Sequence, residues 1–324
     1  MKIALFCGGT SEEREVSFNS SKNVYNKLKQ NDIILVDSGR AEKFQNFKSQ
    51  MQKAPKKWNI NLVKNLINIL KNESIEFVLL MLHGGYGEDG HIQSLLDMCN
   101  IPYNGSKMGP SYVGMNKIIT KYIMHYYNIP TPNSFFLQKT SKYDTKSVVD
   151  KLKFPLIVKP ASEGSTIGVK IVKNKKELNK AIDFSFNFNH EIVIEEYVKG
   201  DEMTLTVMNN KTYPFVKIIP ETGFYDYERK YEDGGSKYIC PAKIHSNIAD
   251  IIKKQALKLY QKMNFDGVVR FDFLYNKNNH KHYFLEVNTL PGMTNHSLVP
   301  MAFEADNINQ TELIKKIINN GIKK

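Results

Sequence analysis

The chain has 324 residues, 41% of them hydrophobic, and a formal net charge of +12 with a mean hydropathy of −0.40. A chain of this length folds as two or three units that share cores, and it has no apolar run near the roughly 20 residues needed to span a bilayer. Cys7, Cys99 and Cys240 are odd in number, widely spaced and without a CxxC pair, which argues against a disulfide framework or a zinc site and for buried thiols in a cytoplasmic protein.

The apolar run at the N-terminus, Met1–Cys7, is too short for a signal peptide. Lysine supplies all but four of the 45 basic residues and is spread along the chain. That pattern is compositional and gives no basic stripe, so neither nucleic acid nor a membrane surface is an expected partner. The four arginines are Arg14, Arg40, Arg229 and Arg270, and three of them fall inside motifs described below. Lysine cannot replace a planar, bidentate fork, so Arg14, Arg229 and Arg270 are expected beside anions or carboxylates.

In chain order, Lys2–Cys7 reads as a strand, Gly8–Ser11 as a turn, Glu12 to about Lys29 as a helix and Asp32–Val36 as a second strand. Leu62–Lys71 has the apolar spacing of an amphipathic helix. Phe77–Leu82 is a short continuous apolar run, as in a strand buried on both faces, and Ile92–Cys99 is another helix. Strands alternating with helices imply a doubly wound parallel sheet over residues 1–104. A helix over Val113–Tyr127 opens the central unit, 105–193, and Pro130-Thr131-Pro132 marks a boundary. The strands Pro155–Lys159 and Val169–Val172 and the helix Lys175–Phe184 follow. The last unit, 194–324, begins at the strand Val193–Tyr197. It has strands at Glu202–Met208, Val268–Tyr275 and Tyr283–Asn288, and helices at Ile248–Met263 and Thr311–Ile318. The fold class is α/β, with two α+β subdomains after the parallel sheet.

Chemistry concentrates at the end of the chain. Arg270, Asp272, Glu286 and Asn288 fall within about twenty residues, on two strand-like segments. Residues two apart on a strand share a face, so adjacent strands would bring all four to one point. Asp272, Glu286 and Asn288 offer only oxygen, which suits a hard cation such as Mg²⁺. An arginine beside such a cation points to a phosphoryl group. A surface salt bridge accounts for Arg270 and Asp272 alone, but the polar turn Asn288–Thr294 after an apolar strand favours a site.

Four other segments carry polar groups at strand ends. Gly8–Glu15 opens a helix, where Ser11 can cap and Glu13 either suits the helix dipole or holds a substrate ammonium. His83–Gly90 has four glycines and a Glu-Asp pair, a tight turn or a second substrate-facing loop. Lys159–Gly168 is a lysine followed by a Gly/Ser hairpin whose backbone can approach phosphate; it lacks the Walker order. Thr222–Gly235 is a long loop rich in aromatics and charge, with the character of a lid.

Together and in this order, the segments GGTSEEREVS, HGGYGEDG, EGSTIG after Lys159, FYDYERKY, and RFDF followed by EVNTLPGMTNHSL resemble the D-alanine–D-alanine ligases of the ATP-grasp superfamily. The likeness runs from Gly8 to Leu298. It implies two subdomains clamping ATP, two Mg²⁺ (or Mn²⁺), a homodimer, and dipeptide synthesis for peptidoglycan. By the same likeness, Glu13 holds the ammonium of the first D-alanine, with His83 close by. Lys117 and Lys159 sit on ATP phosphates, and Glu195, Val198 and Glu202 on adenine and ribose. Ser165 and Tyr231 form a hydrogen-bonded trio with Glu13, and Lys230 reaches the transferred phosphate. Asp272, Glu286 and Asn288 hold the metal ions. Arg270 and the Gly292 N–H stabilise an oxyanion, and Ser297 and Leu298 receive the second substrate's carboxylate. The chain departs from patterns in some members at Glu196 and Gly85, and Tyr231 favours D-alanine over D-lactate as acceptor. The rival readings are a D-alanine–D-lactate ligase and a regulatory nucleotide-binding module.

Overall fold

The computed structural model describes residues 1–28, 32–47, 54, 55, 57–220 and 236–323. Lys230, Tyr231 and Arg229 lie outside these.

The first sheet contains β1 (Lys2–Cys7), β2 (Asp32–Asp37), β3 (Glu42–Phe44) and β4 (Phe77–Leu80) in the order β3-β2-β1-β4. β1 is parallel to both β2 and β4, and only the edge strand β3 is antiparallel. The period of two along β1 divides its side chains between two cores. Ile3 and Leu5 join one and Ala4 and Phe6 the other, and all four are fully buried. Helices α2 (Ile60–Asn72) and α4 (His91–Met98) cover the second face through Leu66, Leu70, Ile92 and Leu96. Helix α1 (Arg14–Lys27) covers the first, through Phe18 and Val24. The short helix α3 (Gly85–Glu88) follows β4.

The helix expected over Val113–Tyr127 is two helices, α5 (Met108–Met115) and α6 (Lys117–Tyr126). Asn116 breaks it. Its backbone is extended, and its side-chain oxygen accepts from Ile118 N and Ile119 N at 3.0 and 3.1 Å. Asparagine competes with helical hydrogen bonding in this way and is favoured at the start of a helix. The break places Lys117 in the first turn of α6, where its own N–H donates to Ala161 O at 2.8 Å.

The second sheet is antiparallel, order β5-β8-β6-β7, from β5 (Ser134–Gln138), β6 (Leu156–Pro160), β7 (Lys170–Val172) and β8 (Glu191–Glu196). Helices α7 (Thr145–Leu152) and α8 (Lys175–Ser185) pack on it through Val148, Leu178 and Ile182. The third sheet runs β12-β11-β9-β13-β14, with β10 (Lys211–Thr212) on β9. Its strands are β9 (Asp201–Met208), β11 (Val216–Pro220), β12 (Ser236–Ile239), β13 (Val268–Asn276) and β14 (Lys281–Asn288). Helix α9 (Ser246–Lys262) buries Ile252, Ala256 and Leu259 against Phe271, Phe273 and Phe284. Two helices close the chain, α10 (Leu298–Glu304) and α11 (Gln310–Ile322). Their residues Val299, Phe303, Leu313, Ile314 and Ile317 join Ile3, Leu5 and Phe77 in the core of the first sheet.

The cap at Asn116 gives a direct test of the helix break. Asn116→Ala is expected to cost about 1 kcal/mol in urea denaturation, and Asn116→Asp to retain most of it. Equal stability of all three forms would assign the break to another cause.

Candidate active site

The site is built on the register of β13 and β14. In this antiparallel pair Arg270 lies opposite Asn288 and Asp272 opposite Glu286, so the four residues converge on one face as their spacing predicts. The strands are not regular beyond that point. The register shifts after Asp272, with Phe273 opposite Phe284. Leu285 is therefore an extra residue, a β-bulge that re-aims the side chains on either side of it. Without it, Phe284 and Glu286 would share a face. With it, Phe284 is fully buried against Phe271 and Phe273 while Glu286 faces the cavity.

Two adjoining spaces meet here. A cavity of about 800 Å³ is lined by Glu13, Ser165, Arg270, Asp272, Asn288, Gly292, Ser297 and Leu298, among others. A cleft of about 330 Å³ between the second and third sheets is lined by Lys159, Glu195, Val198 and Leu285. Lys117, Glu163, Glu202 and Glu286 border both. The described site residues named from sequence thus gather in one continuous space, with the exception of His83.

His83 lies beneath the cavity. Its Nδ1 donates to Leu290 O at 2.9 Å, and its Nε2 accepts from Ser20 Oγ, 3.2 Å away. The carbonyl can only accept, which fixes the tautomer. Burial pulls the imidazole below its ordinary pKa, so the ring is neutral. Ser20 Oγ in turn accepts from Met293 N at 3.2 Å. His83 therefore joins the end of the first sheet to the loop that carries Gly292. Met293 O is also held by Asn23 Nδ2 and Gln310 Nε2, at 2.7 and 2.9 Å.

Glu13 is buried at the start of α1, and its carboxylate accepts from Ser165 Oγ. Two glycines leave room for it: a Cβ on Gly84, whose φ is +62°, would lie 2.7 Å from Glu13 Oε2, and one on Gly164 2.5 Å away. Ser11 does not cap the helix. Its hydroxyl donates to His83 O at 2.5 Å and accepts from Glu13 N at 3.2 Å, and so fastens the turn to the strand end. Arg14 and Arg270 both lie against carboxylates. Arg14 bonds Asp37, and Arg270 makes a bidentate pair with Asp272 through Nε and Nη2, both at 2.7 Å.

The cations of the cleft are also engaged. Lys117 Nζ donates to Glu163 O at 2.5 Å and lies 3.4 Å from Glu286. Lys159 Nζ is 2.5 Å from Glu195 Oε1. The Glu195 carboxylate is thus taken by lysine, and Glu196, Tyr197 and Val198 line the cleft beside it. Ser297 Oγ accepts from Thr294 N at 3.0 Å and orders the segment before α10.

Asp272, Glu286 and Asn288 fit a hard cation by donor type. Asn288 Oδ1 adds an observation of its own: it is buried and has no hydrogen-bond partner among the described residues. A buried acceptor left unmet costs about 1–3 kcal/mol, and a metal ion would satisfy it. Among the described residues no three His, Cys, Asp or Glu side chains cluster as ligands, so the carboxamide is needed to complete the set.

Sequence reading assigned no role to Glu88, Glu163 or Lys121. Glu88 is buried. It accepts from Gly84 N at 3.0 Å, Thr289 N at 3.2 Å and Leu290 N at 3.3 Å, and so binds the His83–Gly90 loop to the loop after β14. Burial, with Glu13 nearby, pushes its carboxyl up to about 7 against those three donors. Burial likewise pushes Glu163 up to about 7, opposed by Lys117.

The family description "D-ala D-ala ligase N-terminus" matches residues 2–106, and "D-ala D-ala ligase C-terminus" matches residues 123–319. The D-alanine--D-alanine ligase of Carboxydothermus hydrogenoformans is 36% identical over 330 residues, covering 100% of this chain and 99% of that protein. That of Desulforamulus reducens is 35% identical over 331 residues, covering 98% and 97%. Among solved structures, the Bacillus anthracis D-alanine--D-alanine ligase complexed with ATP superposes with a TM-score of 0.80 at 32% identity, covering 100% of this chain and 98% of that one.

The raised Glu88 pKa has a signed consequence. A carboxyl whose folded pKa exceeds its ordinary 4.5 gives stability that is full below that value and is lost as pH rises through about 7. Glu163 adds to the same window, so the comparison must be by difference. Glu88→Gln is expected to be less stable overall but to lose less stability than the parent between about pH 4.5 and 7, as read by calorimetry. Parallel curves would mean that Glu88 does not titrate there.

Proposed function

The chain belongs to the D-alanine–D-alanine ligase family, and from that premise and the geometry of the cavity we propose how its residues perform the reaction. The fold is ATP-grasp, and the enzyme is an ATP-dependent ligase that joins two D-alanines, a step in making cell-wall precursor. One observation carries the residue-level reading: the cleft between the second and third sheets opens directly into the cavity that holds Glu13 and Arg270, with Lys117 and Glu286 on the shared border.

In this reading ATP lies in the cleft. Its adenine is against the backbone at Glu195–Val198, its ribose near Glu202, and its phosphates near Lys159 and Lys117. The first D-alanine lies in the cavity with its ammonium on Glu13. Its carboxylate oxygen attacks the γ-phosphorus, the bond to ADP breaks, and an acyl phosphate forms. Both partners are anionic, and two unit charges ~4 Å apart repel by about 4 kcal/mol even at an effective dielectric of ~20. The lysines offset that repulsion. Asp272, Glu286 and Asn288 would hold Mg²⁺ (or Mn²⁺), which when bound supplies further positive charge to the phosphates.

The amine of the second D-alanine then attacks the acyl carbonyl, and phosphate leaves with the C–O bond electrons. Ser297 and Leu298, at the start of α10, receive its carboxylate. Negative charge builds on the carbonyl oxygen, and Arg270 with the Gly292 N–H stabilises it. The Arg270 guanidinium is already oriented by its two bonds to Asp272, so little reorganisation is needed when the charge appears. Ser165 holds the Lys159–Gly168 hairpin on Glu13 and so couples closure over ATP to the first substrate. Tyr231 and Lys230, read from sequence as the lid, complete this reading. So do a homodimer, a cytoplasmic location and the division at 1–104, 105–193 and 194–324, with helix Gln310–Ile322 returning to the first unit's core.

Purified protein given Mg²⁺-ATP and D-alanine is expected to release ADP and form D-alanyl-D-alanine, identified by mass. With excess D-lactate added, little depsipeptide is expected; its dominance would move the chain to the lactate-accepting class. Arg270→Ala is expected to lower kcat by at least about 100-fold. Near-normal turnover would remove Arg270 from the oxyanion role.

A further inference from the structure

Lys121 is a charged side chain in a place where an apolar one would pack. It is 1% exposed, one turn after Lys117 on α6, and it ranks among the largest fully buried side chains of the protein. Its ammonium meets three oxygens: Glu195 Oε2 at 2.9 Å, Thr131 Oγ1 at 2.6 Å and Pro132 O at 3.5 Å. Thr131 Oγ1 and Pro132 O accept hydrogen bonds from the ammonium, and Glu195 Oε2 faces it as an ion pair. A buried ion pair is costly to desolvate and is weak grounds for stability, so the presence of Lys121 asks for a role beyond filling space.

The role lies in its partner. Glu195, also 1% exposed, is held from both sides, with Oε2 toward Lys121 and Oε1 toward Lys159. Burial pushes this carboxyl up, but the two ammoniums outweigh it and hold it below its ordinary range. The chain Lys121–Glu195–Lys159 therefore holds two positive charges and one negative. Lys121 is sealed in the interior, whereas Lys159 lines the cleft, and its remaining hydrogens have no protein acceptor among the described residues. The neighbouring Glu196 does not join the chain; its carboxylate turns to Asn133, accepting from the backbone N at 2.9 Å.

We infer that Lys121 is a positioning residue for the nucleotide: it neutralises Glu195 from behind, so that the Lys159 ammonium keeps its charge for a nucleotide phosphate. Without Lys121, Glu195 and Lys159 would close into a neutral pair, and the cleft would lose one unit of the charge that attracts a polyanion. The effect belongs to the phosphates and not to the base. This inference rests on the reading that the cleft takes ATP.

The test is equilibrium binding of ATP and of uncharged adenosine to the full chain by titration calorimetry. Lys121→Met and Lys121→Gln both remove the charge; the second keeps a polar group for Thr131 and serves if the first does not fold. Each is expected to weaken ATP binding at least about tenfold with adenosine affinity unmoved, and to raise KM for ATP while leaving KM for D-alanine unchanged. Lys121→Arg is expected to restore most of the ATP preference over adenosine. An unchanged ATP-to-adenosine ratio in a folded neutral variant would overturn the inference, as would ATP and adenosine weakening together with a fall in Tm. Failure of the parent protein to bind ATP would overturn the reading of the cleft itself, and the inference with it.

Discussion

The register of one antiparallel strand pair governs this molecule's chemistry. Arg270, Asp272, Glu286 and Asn288 form two cross-strand pairs, and a slip of one residue in either strand would turn that strand's two members into the phenylalanine core. The register is held from both sides. Phe271 and Phe273 are fully buried against α9, and the bulge at Leu285 lets Phe284 join them without dragging Glu286 inward. The polar face is therefore a by-product of apolar packing on the opposite face. Side chains that carry chemistry gain little by ordering themselves, so a rigid hydrophobic backing does it for them.

Around that pair the protein arranges buried carboxylates as fasteners. Glu88 ties the loop after the first sheet to the loop after β14, Glu13 ties α1 to the hairpin at Ser165, and Glu195 joins α6 to the second sheet. Glu88 receives three backbone donors and Glu195 two ammoniums, as a buried charge requires, and Glu13 receives the Ser165 hydroxyl. Carboxylates and cations both line the space, and several of them are paired there, Lys117 with Glu286, Lys159 with Glu195 and Arg270 with Asp272.

Much of this was legible in the sequence, for identifiable reasons. The continuous apolar runs in Lys2–Cys7 and Phe77–Leu82 reflect burial on both faces and the alternation in Val268–Tyr275 burial on one, and burial is what such patterns record. The spacing of Arg270, Asp272, Glu286 and Asn288 is strand spacing, so their convergence could be read without coordinates. Asn116 was harder. Val113–Tyr127 keeps helical periodicity across the break, and only the asparagine's side-chain hydrogen bonds reveal it. The bulge at Leu285 left no mark, because one extra residue is invisible until the partner strand is known. Lys121 was passed over for a related reason: a lone charge in a string of letters looks like a solvated surface charge, and nothing local says that it is buried. Lys230 and Tyr231 fall outside the described residues.

The return of helix Gln310–Ile322 to the first sheet has a consequence for how the protein is made. Leu313, Ile314 and Ile317 pack with Ile3, Leu5 and Phe77, so one face of the first sheet is partly covered by a helix made long after its first strand. During synthesis that face carries α1 but stays partly open while the two later sheets emerge and form. Folding can thus start on the face covered by α2 and α4, but the first sheet is finished only after Gln310–Ile322 has been made. A ribosome that stalled before residue 310 would hold an N-terminal sheet with one sticky side, a species for chaperones to shield.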